Sequence, residues 1–148
     1  MNDRNENAIR LFRSNYNCAQ SVFSAFAADV HLDAERARAA ASGFGAGMGA
    51  LQKTCGAVTG GIMVLGAKFF QEQDVSNAKL FVYKNVRALV ERFETKFGTV
   101  ECFPLLGMDI TTEEGLRLAR ERMLFRQKCE RYVLEVCEIV DGLLSDPR

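Results

Sequence analysis

The chain has no tryptophan, one histidine, two prolines and no excess of charge of either sign, and none of its five cysteines sits in a C-x-x-C pair. Each shortage excludes something. With His31 as the sole imidazole, no Ser/His/Asp triad can be built away from it. His31 itself, just ahead of a helix cap, reads as an exposed loop residue. Lys+Arg and Asp+Glu both number 19, so there is no basic tract to follow a phosphate backbone or an anionic bilayer, and nucleic acid is not expected as a partner. The longest apolar run, 56–70, is broken by Thr59 and Lys68 and falls short of the roughly 20 residues that span a membrane. Membrane insertion is therefore not expected, and the run reads as a buried core helix. The opening MNDRNENAIRLFRS lacks the apolar segment of a secretory signal, which points to a cytoplasmic protein. The missing C-x-x-C removes the local zinc-ribbon and thioredoxin signatures.

What is present is helical periodicity. Scarce proline leaves most of the 148 residues free of helix breakers, and 48% hydrophobic content suffices for one core, so the expectation is an all-α bundle of about five or six helices in one domain, 1–148. A short helix is predicted over 5–14. A second follows Asn15 or Asn17 as N-cap and starts with Cys18, and a third, capped by Asp33, runs to Ala41. Glycines at 43, 45, 47 and 49 then make a loop. Thr54 is the expected cap of the next helix, with Cys55 as its first residue and Val58, Ile62, Leu65 and Phe69 in phase behind it. A long helix is predicted over 76–97, with Tyr83, Val86, Val90, Phe93 and Phe97 facing the core and Gly98 as its stop. Cys102 falls in a turn two residues ahead of Pro104, which suits the first turn of a short helix. Thr112 opens the last helical region, one helix or two, with an apolar stripe of Cys129, Tyr132, Val133, Val136, Val140 and Leu143.

The chemistry rests on the cysteines. A reducing interior disfavours a disulfide framework, and a core of this size does not require one. Cys18 and Cys55 fall at or near helix N-termini, where free N–H groups and the dipole favour a thiolate, the form that acts as nucleophile and as metal ligand. Free cysteine is equally at home in a core, and each of these is also in phase with an apolar stripe. Gly56 and Gly60, around Ala57, remove bulk beside Cys55 and let a backbone, a ligand or a second sulfur approach. The glycines at 43–49 do not make a nucleotide loop, because an Ala-rich helical segment precedes them and no G-K-[ST] follows. Glu113 and Glu114 complement a helix dipole, and Phe81, Phe93, Phe97 and Phe103 either wall a pocket or fill the core.

The run Cys55-Gly56-Ala57-Val58-Thr59-Gly60 resembles the central motif of the family of putative redox-active proteins labelled C_GCAxxG_C_C. Asn17-Cys18-Ala19-Gln20, the glycine loop from Ser42 to Met48, Lys96-Phe97-Gly98 ahead of Cys102, and Cys129 with Val133 extend the likeness over 8–140. Relative to the label's A-x-x-G, Gly and Cys appear here in the order Cys55-Gly56. The resemblance implies four site cysteines, Cys18, Cys55, Cys102 and Cys129, with Cys137 competing for the last place.

Two chemistries fit four thiols in a helical bundle. In the first, Cys55 is the catalytic thiolate and Cys18 its resolver, in exchange with an unidentified redox partner, with Cys102, Gly56 and Gly60 shaping the binding site. In the second, Cys18, Cys55, Cys102 and Cys129 ligate an iron–sulfur cluster or zinc, their charge offset by Lys53, Lys96 or Lys128. A third reading keeps the cysteines as inert core and gives the bundle a surface for a partner or for a second copy of itself.

Overall fold

The computed structural model describes residues 2–148 and is all-helical. Its helices are α1 (Asp3–Arg13), α2 (Cys18–Ala25), α3 (Ala34–Ala41), α4 (Gly56–Phe69), α5 (Val75–Phe97), α6 (Cys102–Leu106), α7 (Glu113–Glu121) and α8 (Glu130–Ser145). Eight helices replace the expected five or six for two reasons. Pro104 lies in the first turn of a short helix, as expected, and that five-residue helix already includes Cys102, expected in a turn, as its first residue. The C-terminal region is divided by Met123, at φ 55°, and by a π-helical turn over Phe125–Cys129. Among the described residues the only extended pairing is one isolated antiparallel bridge, Thr54 to Glu101.

Side-chain caps set the helix starts. Asn17 rather than Asn15 caps α2: its carboxamide accepts from the Gln20 N–H while the Gln20 side chain accepts from the Asn17 N–H, both satisfying donors that helix ends leave orphaned. Asp33 caps α3 and Thr112 caps α7 in the same way, and Gly98 ends α5 at φ 86°. The expected cap at Thr54 is displaced by one residue. Cys55 is itself the N-cap of α4, and Thr54 is held in the bridge to Glu101.

Helix α4 is the axis of the fold and packs on α2, α5 and α8. Its glycines permit that crowding. A Cβ at Gly60 would lie 2.9 Å from the Ala19 carbonyl oxygen on α2, and one at Gly61 would lie 2.7 Å from Val136 on α8 and 3.0 Å from Leu89 on α5. The α8 stripe is buried as expected, from Cys129 to Leu143. The α5 stripe is buried only in part: Phe93 lies in the core and Val86, Val90 and Phe97 pack half-buried against it, whereas Tyr83 is exposed and Asn85 and Leu89 turn inward. Asn85 is tolerated there because its amide donates to the Phe81 carbonyl and its oxygen accepts from the Arg148 N–H. His31 is exposed, as expected.

Candidate functional site

The glycine loop is a left-handed coil. Five consecutive residues from Ala46 to Ala50 have positive φ, and Gln52 takes it up again at 57°. Four of those six are not glycine, and each such residue costs about 1–2 kcal/mol. At Gly47 the sequence has no alternative, since a Cβ there would lie 2.6 Å from the Lys53 nitrogen. The segment after the coil is clamped to α6. The Cys102 N–H donates to the Lys53 carbonyl at 2.6 Å and the Phe103 N–H to the Gln52 carbonyl at 3.2 Å, while Cys55 N–H donates back to Val100 at 2.7 Å. The buried Gln52 side chain completes the clamp, donating to the Met108 carbonyl and accepting from the Ile110 N–H.

This clamp decides where two cysteines point. Thr54 and Glu101 are paired in an antiparallel bridge, so residues 55 and 102 lie on the opposite face of the ribbon from that pair and share it as diagonal neighbours. Cys18 arrives from the first turn of α2, drawn in by Gly56, where a Cβ would lie 3.2 Å from Cys18 Cβ. Cys129 closes the set from the end of the π turn, a helical irregularity common at functional sites. Cys18, Cys55, Cys102 and Cys129 all line one cavity of about 530 Å³. Cys137, fully buried about two turns further along in α8, does not. All five thiols are free.

The cavity has an apolar floor, supplied by Phe12, Leu105, Leu106, Leu116, Phe125 and Tyr132. Its charged lining is Arg13, Arg120, Arg126 and Glu130. The aromatic set singled out from sequence lies elsewhere: Phe93 and Phe97 pack edge-on or tilted against one another and Tyr132, Phe81 stacks on Phe69, and Phe103 is exposed. The reason is the turn of α5, which directs Phe93 behind Tyr132 rather than into the opening. Tyr132 is fixed by its hydroxyl, which donates to the Leu105 carbonyl at 2.7 Å. No sequence pattern announced Gln52 or Tyr132, whose roles depend on hydrogen bonds to residues 27 to 58 positions away. Arg120 and Arg126 carry a visible sequence signal, cations within an otherwise amphipathic stretch, but nothing in the pattern distinguishes them from a solvated helix face.

The thiols are electrostatically unequal. Cys18 and Cys129 line the same cavity and shift each other's ionisation in opposite directions. A hydrogen bond from the Cys18 thiol holds Cys129 below the ordinary thiol range, against the effect of burial and with help from the Lys128 ammonium. The same bond, followed by burial, holds Cys18 far above it. Cys55 contradicts the expectation of a helix-end thiolate: burial pushes it up to about 12, although the N–H groups of Ala57 and Val58 donate to its sulfur. Burial, then the neighbouring Cys129 charge, pushes Cys102 up to about 11, and a hydrogen bond from Gln52 pulls the other way. Of the lysines expected to offset thiolate charge, Lys128 does so, whereas Lys96 is paired with Glu135.

A family profile described as "Putative redox-active protein (C_GCAxxG_C_C)" matches residues 16–143. The chain belongs to the C_GCAxxG_C_C family. No curated protein and no solved structure matches the chain. Placed on this structure, the C_GCAxxG_C_C label spans the segments that meet at the cavity: the start of α2, the cap of α4, the start of α6 and the π turn before α8. As a donor set the four thiols are soft ligands of the kind zinc and iron–sulfur clusters take. Among the described residues, however, no three His, Cys, Asp or Glu side chains are gathered closely enough to hold a metal ion. Among the same residues no helix is long and apolar enough to cross a membrane.

Proposed function

We propose that the protein is a thiol–disulfide redox protein in which Cys129 is the nucleophile and Cys18 the resolving thiol. One observation carries this reading: two cysteines from distant parts of the chain meet on the wall of one cavity, where the influence of each on the other lowers one thiol and raises the other. The Cys129 thiolate attacks one sulfur of a disulfide, the S–S bond breaks, and the leaving thiolate takes a proton from solvent. Cys18 then loses its proton and attacks the Cys129 sulfur, releasing the second thiol. The net result is two thiols from one disulfide and a Cys18–Cys129 disulfide in the protein, a two-electron transfer. Cys55 and Cys102, both raised, stay protonated and shape the floor. This moves the nucleophile from Cys55, where helix position alone would put it, to Cys129.

The test is peptide mapping after one equivalent of a disulfide is added to the reduced chain without oxygen. A Cys18–Cys129 linked peptide and two equivalents of released thiol are expected. Four thiols still free, or a pairing that leaves Cys129 out, would sink the assignment.

A second reading has the four cysteines binding zinc or an iron–sulfur cluster. It is favoured by their common cavity and soft donors, and it requires the sulfurs to draw closer together than they stand here. Metal analysis and an absorbance spectrum of protein purified without oxygen separate it from the first, since a cluster gives visible charge-transfer bands and a dithiol gives none.

A further inference from the structure

We infer that the substrate of this cavity is a low-molecular-weight disulfide carrying carboxylates, bound through Arg120 and Arg126. The inference rests on the dithiol reading above and adds the class of substrate.

Size comes first. The reacting pair lies in a cavity of about 530 Å³, and Cys129 is only 8% exposed. That volume is in the range of pockets that take small ligands, roughly 300–1,000 Å³. A disulfide anchored in a folded protein cannot bring its sulfur down to a residue so covered, whereas a free disulfide of a few dozen atoms can enter.

Charge comes second. The chain as a whole is neutral, yet three of the four charged side chains that line the cavity are arginines. Glu130, the one carboxylate, is already engaged. Arg13 reaches both of its oxygens, at 2.7 and 3.1 Å, and its pKa is raised by them. Arg126 stands at the margin of the same carboxylate, at 3.8 Å. Arg120 makes no salt bridge among the described residues. The cavity therefore offers one uncommitted guanidinium and one loosely held, beside the Cys129 sulfur. Planar guanidinium forks match carboxylates in geometry as well as in charge. The apolar floor of Phe12, Leu116 and Phe125 accommodates the carbon skeleton between sulfur and carboxylate.

The experiment compares two probes on the full reduced chain: 5,5′-dithiobis(2-nitrobenzoate), with two carboxylates, and 4,4′-dithiodipyridine, uncharged at neutral pH. Both react by the exchange already balanced above. The rate is read on Cys129 by acid quench and mass spectrometry of its peptide, in wild type and in the R120Q/R126Q variant. Because any change in the ionisation of Cys129 affects both probes alike, the readout is the ratio of the two rates. The ratio of anionic to neutral rate is expected to fall about fivefold to tenfold at low ionic strength, as two exposed pairs would give. The difference should shrink in about 0.5 M salt, where screening is short-ranged. An unchanged ratio, or equal slowing of both probes, overturns the proposal. Failure of the dithiol reading looks different: wild type would release one equivalent of thiol per Cys129 and stop, as Cys18→Ser does, whatever the ratio.

Discussion

Replacing Cys18 tests the source of the reactivity assigned to Cys129. The bond between the two sulfurs is the leading cause of the depression at Cys129, ahead of the Lys128 charge. Hydrogen bonds to a charged group contribute about 1.5–3 kcal/mol, and each 1.4 kcal/mol is a factor of ten. Cys18→Ala removes the donor altogether. Near neutral pH, alkylation of Cys129 by iodoacetamide should then slow by about tenfold to hundredfold, with the pH at which the rate rises displaced upward. Cys18→Ser retains a hydroxyl donor at the same atom position and should stay within about threefold of wild type. Both variants remove the resolving thiol, so the contrast between them isolates the hydrogen bond from the redox step. The assay is peptide-resolved labelling over a pH series, with urea unfolding run alongside so that a loosened fold is not mistaken for a change in ionisation. If the alanine variant labels as fast as wild type, or the serine variant slows as far as the alanine one, the depression does not come from Cys18.

Cys55 and Cys137 are both raised to about 12 from an ordinary 9.0, so the fold binds their protons more tightly than the unfolded chain does. Their contribution is complete below about pH 9 and is lost as pH rises toward 12, at about 1.4 kcal/mol per pH unit for each thiol. Thermal melts should show this decline, to which the raised Cys18 and Cys102 add, and Cys137→Ala should make it shallower while lowering the whole curve. Gly60→Ala gains about 1 kcal/mol of helix propensity but drives a methyl against the Ala19 carbonyl at 2.9 Å and Val22 at 3.0 Å. Its melting point should fall by about 3–6 °C, whereas Gly66→Ala, in the same helix with open space around it, should not fall. In the left-handed coil, Gly47→Ala meets both strain and the Lys53 nitrogen, while Gly49→Ala meets strain alone. Urea midpoints should rank wild type, Gly49→Ala, Gly47→Ala in descending order, and a Gly47 variant as stable as the Gly49 one would contradict the clamp geometry.

The parts of this fold legible in the sequence are those decided within four residues. Asn17, Asp33, Thr112 and Gly98 cap helices as their side chains or φ preferences demand, and the α8 stripe faces the core as its spacing requires. What escaped was decided at long range. Tyr83 and Leu89 are both compatible with a buried face of α5, and the choice was made by the space beside Gly61. Ala46, Met48 and Ala50 carry no signal for positive φ, which they adopt because the following chain is fastened to α6. The family's four cysteine positions could be matched, but not their roles, because roles depend on which sulfur ends up next to which.

Those roles follow from a comparison of magnitudes. A helix N-terminus favours an anion by about 0.3–1 kcal/mol at the surface and up to about 2 when partly buried, whereas full burial can move a pKa by 3–5 units, or more than 4 kcal/mol. At Cys55, capping α4 while 4% exposed, burial wins. At Cys129 the opposing influence is the hydrogen bond from the Cys18 thiol, and it wins over burial. In the proposed exchange the arrangement would also time the second step. Cys18 is held protonated chiefly by its bond to Cys129, so its proton is retained as long as Cys129 is charged. Once Cys129 is in a mixed disulfide that charge is gone, the largest cause of the elevation at Cys18 goes with it, and the resolving thiol becomes easier to ionise at the moment its nucleophilicity is needed.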